Sequence, residues 1–315
     1  MRINQVCVLG GSGFVGSAIV HKLSAAGYAV KVLSRRREKS KHLTLLPNVQ
    51  VVECDILSDA ELGSHMQSCD AVINLIGILH ESAKVTFEQM HHQLPARVAA
   101  LCERHGIRRL LHMSALQTSP DAPSAYLRSK AAGEAAVMAH KGSINITIFQ
   151  PSVIFGRDDS FLNLFATVVK LMPVVALAKP DAKFQPVWVE DVADAFVNSL
   201  DNVDTYGKTY QLGGPRVYTL RELVEFVIFV LGKKRRIVGL NDKLSYWQAY
   251  AMEKLPVKLM TRDNFYSMQV DSVCQTAIAP ELGIKPTAIE AIVPEYLAND
   301  TPRAAYNRFR GMAGR

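Results

Sequence analysis

The stretch Val6-Cys-Val-Leu-Gly10-Gly-Ser-Gly13-Phe-Val-Gly16 constrains the fold more than any other part of the chain. Four apolar or β-prone residues form a buried strand, and Ser17-Ala-Ile-Val-His-Lys-Leu-Ser continues with apolar residues at helical spacing. Between them, Gly10, Gly11, Ser12, Gly13, Phe14, Val15 and Gly16 make a tight turn that fits both G-x-G-x-x-G and G-x-x-G-x-x-G. Glycine lets the backbone turn sharply and lets a pyrophosphate approach, while N–H groups and the helix dipole face the anion. A glycine turn alone is weak evidence. Following a strand and opening a helix, it marks a dinucleotide site.

The rest of the first half repeats that alternation. Strand patterns fall near 5–10, 29–34, 49–53, 71–76, 109–114 and 145–150, and helical patterns near 14–26, 59–68, 86–105 and 124–141. Short apolar strands separated by helices predict an α/β fold with a Rossmann-like, doubly wound parallel sheet, ligands binding at the strands' carboxyl ends. After Gln150-Pro151 the pattern turns irregular, with loops and a small helical piece expected over 151–187. Residues 190–201 look helical and return to the main domain, and Tyr210-Gln-Leu-Gly-Gly reads as a short strand and turn. Thr219-Leu-Arg-Glu222 is a capping box that starts a helix running to Leu231. The expected division is a cofactor domain over 1–230, with 152–187 contributing to a smaller, partly discontinuous C-terminal lobe over 231–315. That lobe is read as short amphipathic pieces broken at Pro256, Pro280, Pro286 and Pro294.

Composition excludes several classes. The 315 residues are 49% apolar and 21% charged, ordinary for a globular protein. Cys7, Cys54, Cys69, Cys102 and Cys274 are scattered and form no C-x-x-C pair, which points to a reducing compartment without disulfides or structural zinc. No apolar run is long enough to span a bilayer, and no signal or transit peptide precedes the first strand; a cytoplasmic location, with peripheral contact to the membrane's inner face, is the expectation. The net charge of +7 comes largely from Arg35–Lys41, Lys233–Arg236 and the tail residues Arg303, Arg308, Arg310 and Arg315. Such clusters suit a cofactor phosphate, anionic lipid or an acidic partner; a stripe of basic and aromatic residues for nucleic acid is lacking.

The second strand bears on the choice of cofactor. Ser34 lies 21 residues beyond Gly13, where an NAD-preferring fold places an acidic residue on the ribose 2′-hydroxyl. Here Ser34-Arg35-Arg36-Arg37 follows, and guanidinium groups bind a 2′-phosphate through paired hydrogen bonds, so NADP(H) is expected over NAD(H). Asp55, with Ile56 beside it, either reaches an adenine amino group or caps the next helix or turns its loop. Asn74-Leu75-Ile76-Gly77 closes the fourth strand with a small residue where backbone lies against a cofactor.

Tyr126 and Lys130 stand one helical turn apart on one face. An ammonium beside a phenol favours the phenolate, making Tyr126 a general acid/base for a hydroxyl or carbonyl. Ser114, at the end of the fifth strand, is placed to hold the same oxygen. Adjacent His91 and His92 diverge on a helix and are not read as metal ligands, and Glu190 and Asp191 are read as complementing a helix dipole.

Together, Gly10/Gly13/Gly16, Asp55, Asn74–Gly77, Ser114, Tyr126-x-x-x-Lys130 and Gln150-Pro-Ser-Val-Ile-Phe-Gly156 resemble the extended or atypical short-chain dehydrogenase/reductase superfamily over at least residues 3–230. The resemblance implies that Lys130 also holds the nicotinamide ribose and that Pro151 and Val153 lie beside the nicotinamide. Tyr126–Glu134, Ile154–Asn163, Gln185–Val192 and Thr261-Arg-Asp263 more narrowly resemble the nucleotide-binding accessory subunit of respiratory complex I and its bacterial relatives. That family implies NADP(H) binding, a role in assembly more than turnover, and a link to quinone synthesis. Departures are Met90-His91-His92 in place of a Val-Asn pair, which weakens the implied proton relay, and Gln150 where an Arg is usual. The readings carried forward are an NADP(H)-dependent oxidoreductase of unidentified substrate, a cofactor-holding assembly protein, and an NAD-dependent sugar-nucleotide epimerase or dehydratase. In the assembly reading, Tyr246–Tyr250 and Lys254–Met260 meet a membrane or partner subunit. Oligomers are compatible with each reading.

Overall fold

In the computed structural model, residues 3–255 and 260–298 are described; Pro256, part of Lys254–Met260 and the four tail arginines lie outside them. In chain order the elements begin β1 (Gln5–Leu9), α1 (Phe14–Ala25), β2 (Ala29–Ser34), β3 (Val49–Glu53), α2 (Asp59–Met66), β4 (Ala71–Asn74) and α3 (Leu94–Arg104). They continue with β5 (Arg109–Met113), α4 (Ala125–Met138), β6 (Asn145–Pro151), β7 (Ile154–Phe155), α5 (Leu162–Leu171), β8 (Val174–Leu177), β9 (Lys183–Phe184) and β10 (Val187–Trp188). The last are α6 (Val189–Ser199), β11 (Lys208–Leu212), β12 (Tyr218–Thr219), α7 (Leu220–Val230), β13 (Arg236–Gly239), α8 (Asp242–Glu253), α9 (Arg262–Ser267) and α10 (Ile289–Leu297). They divide between two units, Met1–Ser152 with Val189–Gly213 and Cys274–Lys285, and Val153–Trp188 with Gly214–Val273 and Pro286–Arg315.

The first unit is built on a seven-stranded parallel sheet in the order β11-β6-β5-β4-β1-β2-β3. β4 is buried throughout and β1 from Val6 onward, because helices cover both faces and the strands carry the apolar runs Val6–Leu9 and Ala71–Ile73. The strand order reverses between β1 and β4, so their carboxyl ends, Leu9 beside Asn74, open the crevice in which such sheets bind ligands. α1 packs on α6, and Lys22 bridges to Glu190 (3.2 Å) and Asp194 (2.8 Å). Glu190 and Asp191 stand in the first turn of α6. α2 and α3 help close the other face over a core that gathers Cys7, Cys69 and Cys102 as free thiols, a meeting the scattered sequence positions do not reveal. Buried Arg109 ties β5 to the end of α6 through the carbonyls of Ser199 (2.6 Å) and Leu200 (3.1 Å), matching a cation to a helix C-terminus. Residues 274–285 join this unit as Asn198 and Asn202 donate to the carbonyls of Leu282 and Glu281.

The helical pattern over 86–105 is not one α-helix. Glu88–Gln93 forms a π-turn, in which Leu94 donates to Gln89, before α3 begins. Pro95 explains it: in an α-helix its N–H would satisfy the His91 carbonyl, and proline has none. That carbonyl lies where a Cβ on Gly133 would stand, 1.8 Å away, so Gly133 lets α4 cross the π-turn closely.

In the second unit, α5, α7 and α10 pack around Leu162, Val169, Leu223, Val227, Ile289 and Val293. The capping box forms as read, with Thr219 N–H on Glu222 (2.7 Å) and Glu222 N–H on Thr219 (3.2 Å). β8 and β13 pair in parallel, β7 with β10 also in parallel, and β9 with β12 antiparallel. Pro294 does not end a segment: it lies inside α10, where burial of Ile289, Val293 and Leu297 on one stripe offsets one lost hydrogen bond.

Candidate functional site

The glycine turn folds as its composition demands. Gly10 adopts φ +80°, and Gly13 donates to its carbonyl at 3.0 Å. A Cβ on Gly16 would stand 2.2 Å from that carbonyl, and one on Gly11 would stand 2.9 Å from Val32. Gly13 is the N-cap of α1 and supplies no side-chain acceptor, and the first turn carries no acid. The helix start therefore presents backbone donors and no competing negative charge, a cradle that fits a pyrophosphate.

At the end of β2, Ser34 is buried and exchanges hydrogen bonds with the backbone of Arg36, turning the chain so that Arg35 and Arg36 are exposed. A 3₁₀ segment over Arg37–Leu45 follows, and His42 reaches Ser17 in the first turns of α1 at 3.1 Å. Arg37, Lys41 and His42 help line a cavity of about 500 Å³. Asp55 accepts from Leu57 N–H (3.0 Å) in a side-chain turn, and Ser58 rather than Asp55 caps α2. Ile56 is buried in the core. After β4, Asn74 accepts from Ile76 N–H; Leu75 is buried and Gly77 exposed.

Around Gly77 the polar groups converge. The Lys130 ammonium lies 3.3 Å, and His91 Nε2 3.6 Å, from where a Gly77 Cβ would be. Lys130 is 3% exposed and donates to the Met113 carbonyl at 3.2 Å, one residue before Ser114. Burial draws its pKa down to about 8, against an opposing pull from Glu134. The Tyr126 ring meets His91 edge-on, with centroids 5.2 Å apart, and Phe87 at 5.8 Å. Pro151 ends β6 in this unit, whereas Val153 opens the second.

Glu134 and His112 were not singled out from sequence, and His91 was named there only as a departure and as no metal ligand. Glu134 accepts the Ser114 hydroxyl in a short hydrogen bond and also accepts from Thr118 (2.7 Å) and Gln150 (2.9 Å). Its place four residues beyond Lys130, on the same helical face, is the signal that could have found it. His91 fills the ground where the expected Asn is missing. Ile78 N–H donates to Nε2 (3.0 Å), so Nδ1 holds the proton and faces Ser129 (2.9 Å), which donates to the Tyr126 carbonyl (2.8 Å). On β5, His112 Nδ1 lies 3.3 Å from Asn74 Nδ2, and its buried Nε2 has no partner among the described residues.

Both histidines are neutral in the fold. Burial first, then Lys130, lowers His91 from 6.5 to about 2 and His112 from 6.5 to about 3. Each folded pKa lies below the unfolded one, so the unfolded chain binds the extra protons and stability is lost as pH falls below 6.5. Together they are expected to remove about 5 kcal/mol between roughly pH 6 and pH 4. Urea midpoints across that range should show a slope that His112→Gln makes shallower; an unchanged slope in that variant counts against the assignment.

Sheet, crevice, glycine cradle and buried lysine define a Rossmann-like dinucleotide-binding protein. Residues 6–213 match the NAD dependent epimerase/dehydratase family. The chain belongs to that family. It is 33% identical over 291 residues to NADH dehydrogenase [ubiquinone] 1 alpha subcomplex subunit 9, mitochondrial, of Arabidopsis thaliana, covering 88% of this chain and 71% of that one. It is 28% identical over 245 residues to a ceramide reductase of Caulobacter vibrioides, covering 75% and 74%. Among solved structures, MoeE5 in complex with UDP-glucose and NAD superposes with a TM-score of 0.65 at 17% identity, over 76% of this chain and 85% of that one.

Proposed function

We propose that this chain holds NADP(H) and acts as an oxidoreductase on a carbonyl or hydroxyl. The observation that carries the reading is Lys130: an ammonium buried beside the exposed backbone of Gly77, donating to the Met113 carbonyl and ion-paired with no carboxylate among the described residues. A buried charge so weakly compensated is costly to keep for structure alone. Gly10–Gly16 hold the pyrophosphate, Arg35 and Arg36 the 2′-phosphate, Asp55 and Ile56 the adenine, and Leu75–Gly77, Pro151 and Val153 the nicotinamide side. Bound nicotinamide supplies or takes the hydride. Tyr126 gives or takes the proton at the substrate oxygen, and Lys130 favours its phenolate and orients the ribose. Ser114, its own proton on Glu134, presents lone pairs and accepts from the substrate hydroxyl. The ceramide reductase relative favours turnover.

A second reading, a cofactor kept as a structural ligand in a respiratory complex, draws on the Arabidopsis relative. Kept NADP(H) would stabilise the fold by linkage without turnover. The third, a sugar-nucleotide epimerase using NAD, fits the family and the fold but meets no acid at Ser34.

Titration of the purified chain with NADPH and NADH tests the cofactor. NADPH is expected to bind tighter, and Arg35→Ser with Arg36→Ser to erase a preference on the order of ten- to a hundred-fold. Tighter NADH binding by the native chain overturns the assignment.

A further inference from the structure

Three thiols gathered against β1 take no part in the nucleotide site. Cys7 on β1, Cys69 in the turn between α2 and β4, and Cys102 on α3 share one core cluster. Asp70 N–H on the Gln5 carbonyl (2.9 Å) and Val6 opposite Ala71 bring the chain onto β1 just past Cys69. There Cys7 is hydrogen-bonded to the Cys69 sulfur. The three differ in depth. Cys7 and Cys102 are wholly buried, whereas Cys69 keeps 6% of its surface and is followed from exposed Ser68.

A buried thiol is ordinarily no more than a small apolar side chain. The surroundings of Cys69 are different. Lys31 on β2 extends its ammonium to Ser68 Oγ (2.8 Å) and to the His65 carbonyl (3.0 Å), and the Cys69 thiol donates to that same carbonyl (3.7 Å). The neighbouring acid is occupied, since the Asp70 carboxylate accepts from Asn4 N–H (2.8 Å) and Gln5 N–H (2.9 Å). The hydrogen bond from Cys7, helped by the Lys31 charge and opposed by burial, holds the Cys69 thiol below its ordinary pKa. The same bond and burial push Cys7 up. A slightly open thiol beside a cation, touching a closed thiol, is the arrangement of an attacking and a resolving cysteine.

We propose that Cys69 and Cys7 form a reversible oxidation site for hydrogen peroxide. The Cys69 thiolate attacks one peroxide oxygen; the S–O bond forms, the O–O bond breaks, and the departing oxygen takes a proton and leaves as water. Cys7 then attacks the sulfur of the resulting sulfenic acid. The S–S bond forms, the S–O bond breaks, and the hydroxide leaves as water with the Cys7 proton. Two thiols give up two electrons, and the peroxide is reduced to two waters. A dithiol reverses the bond by exchange. The disulfide fastens the turn before β4 to β1, three residues ahead of Gly10.

Mass spectrometry of the full, reduced chain treated with hydrogen peroxide at neutral pH tests the pair. The expected product is lighter by two hydrogen atoms, its digest joins the peptides that hold Cys7 and Cys69, and dithiothreitol restores the starting mass. Cys274, half-buried and pushed up to about 11 by burial, should react later. Cys69→Ser should abolish the bond. Cys7→Ala should leave a sulfenic acid on Cys69 that dimedone traps. Lys31→Gln keeps a donor for the His65 carbonyl but removes the charge, and should slow bond formation on the order of ten-fold at an unchanged urea midpoint. Cys69→Ser and Lys31→Gln lie at the open end of the cluster, so the test stands even where Cys7→Ala loosens the core. None of these readings needs NADPH, so they stand apart from the cofactor assignment. The absence of a disulfide in the treated native chain, a bond from Cys69 to Cys102, earlier reaction at Cys274, or a rate indifferent to Lys31→Gln overturns the proposal.

Discussion

Gly16→Ala is expected to lower nucleotide affinity on the order of a hundred-fold and to destabilise the fold by about 3 kcal/mol. The added methyl would stand 2.2 Å from the Gly10 carbonyl, 2.6 Å from the Gly11 Cα and 2.8 Å from the Gly11 carbonyl carbon. All three are backbone atoms, so no side chain can swing aside. Either α1 moves off β1 or the turn opens, and both misplace the donors that face the pyrophosphate. Gly142→Ala is the control, since a Cβ there meets nothing within 4 Å and its φ is not in the left-handed region. It should leave stability within about 0.5 kcal/mol and binding unchanged. Isothermal titration with NADPH and urea unfolding of both variants decide the matter. A Gly16→Ala chain with native affinity would mean that the turn is not the cradle.

That turn was also what the sequence made plainest, for a physical reason. Glycines closing an apolar strand and opening a helix act through local backbone geometry, and local geometry is written in consecutive residues. The capping box at Thr219 and Glu222 was legible on the same ground. What escaped depends on residues distant in sequence. Pro95 widens a helical turn because of the carbonyl it leaves unsatisfied, and the consequence, His91 set beside Gly77 and Lys130, appears only when α4 crosses there. Ser114, Thr118, Glu134 and Gln150 meet from different elements, so the loss of a usual Arg at Gln150 reads as a departure until its amide is seen on Glu134. Arg109 likewise passes for a surface residue at the start of a strand until the end of α6 is placed over it. Pro294 was read as a break because its missing N–H is local; the apolar stripe that holds α10 together is not.

Lys130→Met is expected to make the protein more stable and less able to bind. The ammonium is 3% exposed, and burial holds its folded pKa at about 8 against 10.5 for an unperturbed lysine. The folded value is the lower one, so the unfolded chain holds the extra proton between pH 8 and 10.5, and the native chain gains stability as pH rises through that window. Below it the penalty is fully present, about 3 kcal/mol at neutral pH. Methionine keeps much of the apolar stem and removes the charge, at the expense of the hydrogen bond to Met113, worth about 1 kcal/mol. The net gain near pH 7 should be about 2 kcal/mol and should disappear as pH rises past the unfolded pKa. NADPH affinity should fall by about ten-fold or more, because the Gly77 side of the crevice loses its cation. Urea midpoints of both chains at neutral and alkaline pH, with NADPH titration at neutral pH, give all the readings. A destabilised variant would place Lys130 among structural groups. A stabilised variant with native affinity would mean that the charge is kept for something other than the nucleotide. Stability gained with binding lost is the outcome for a group retained against the interest of the fold.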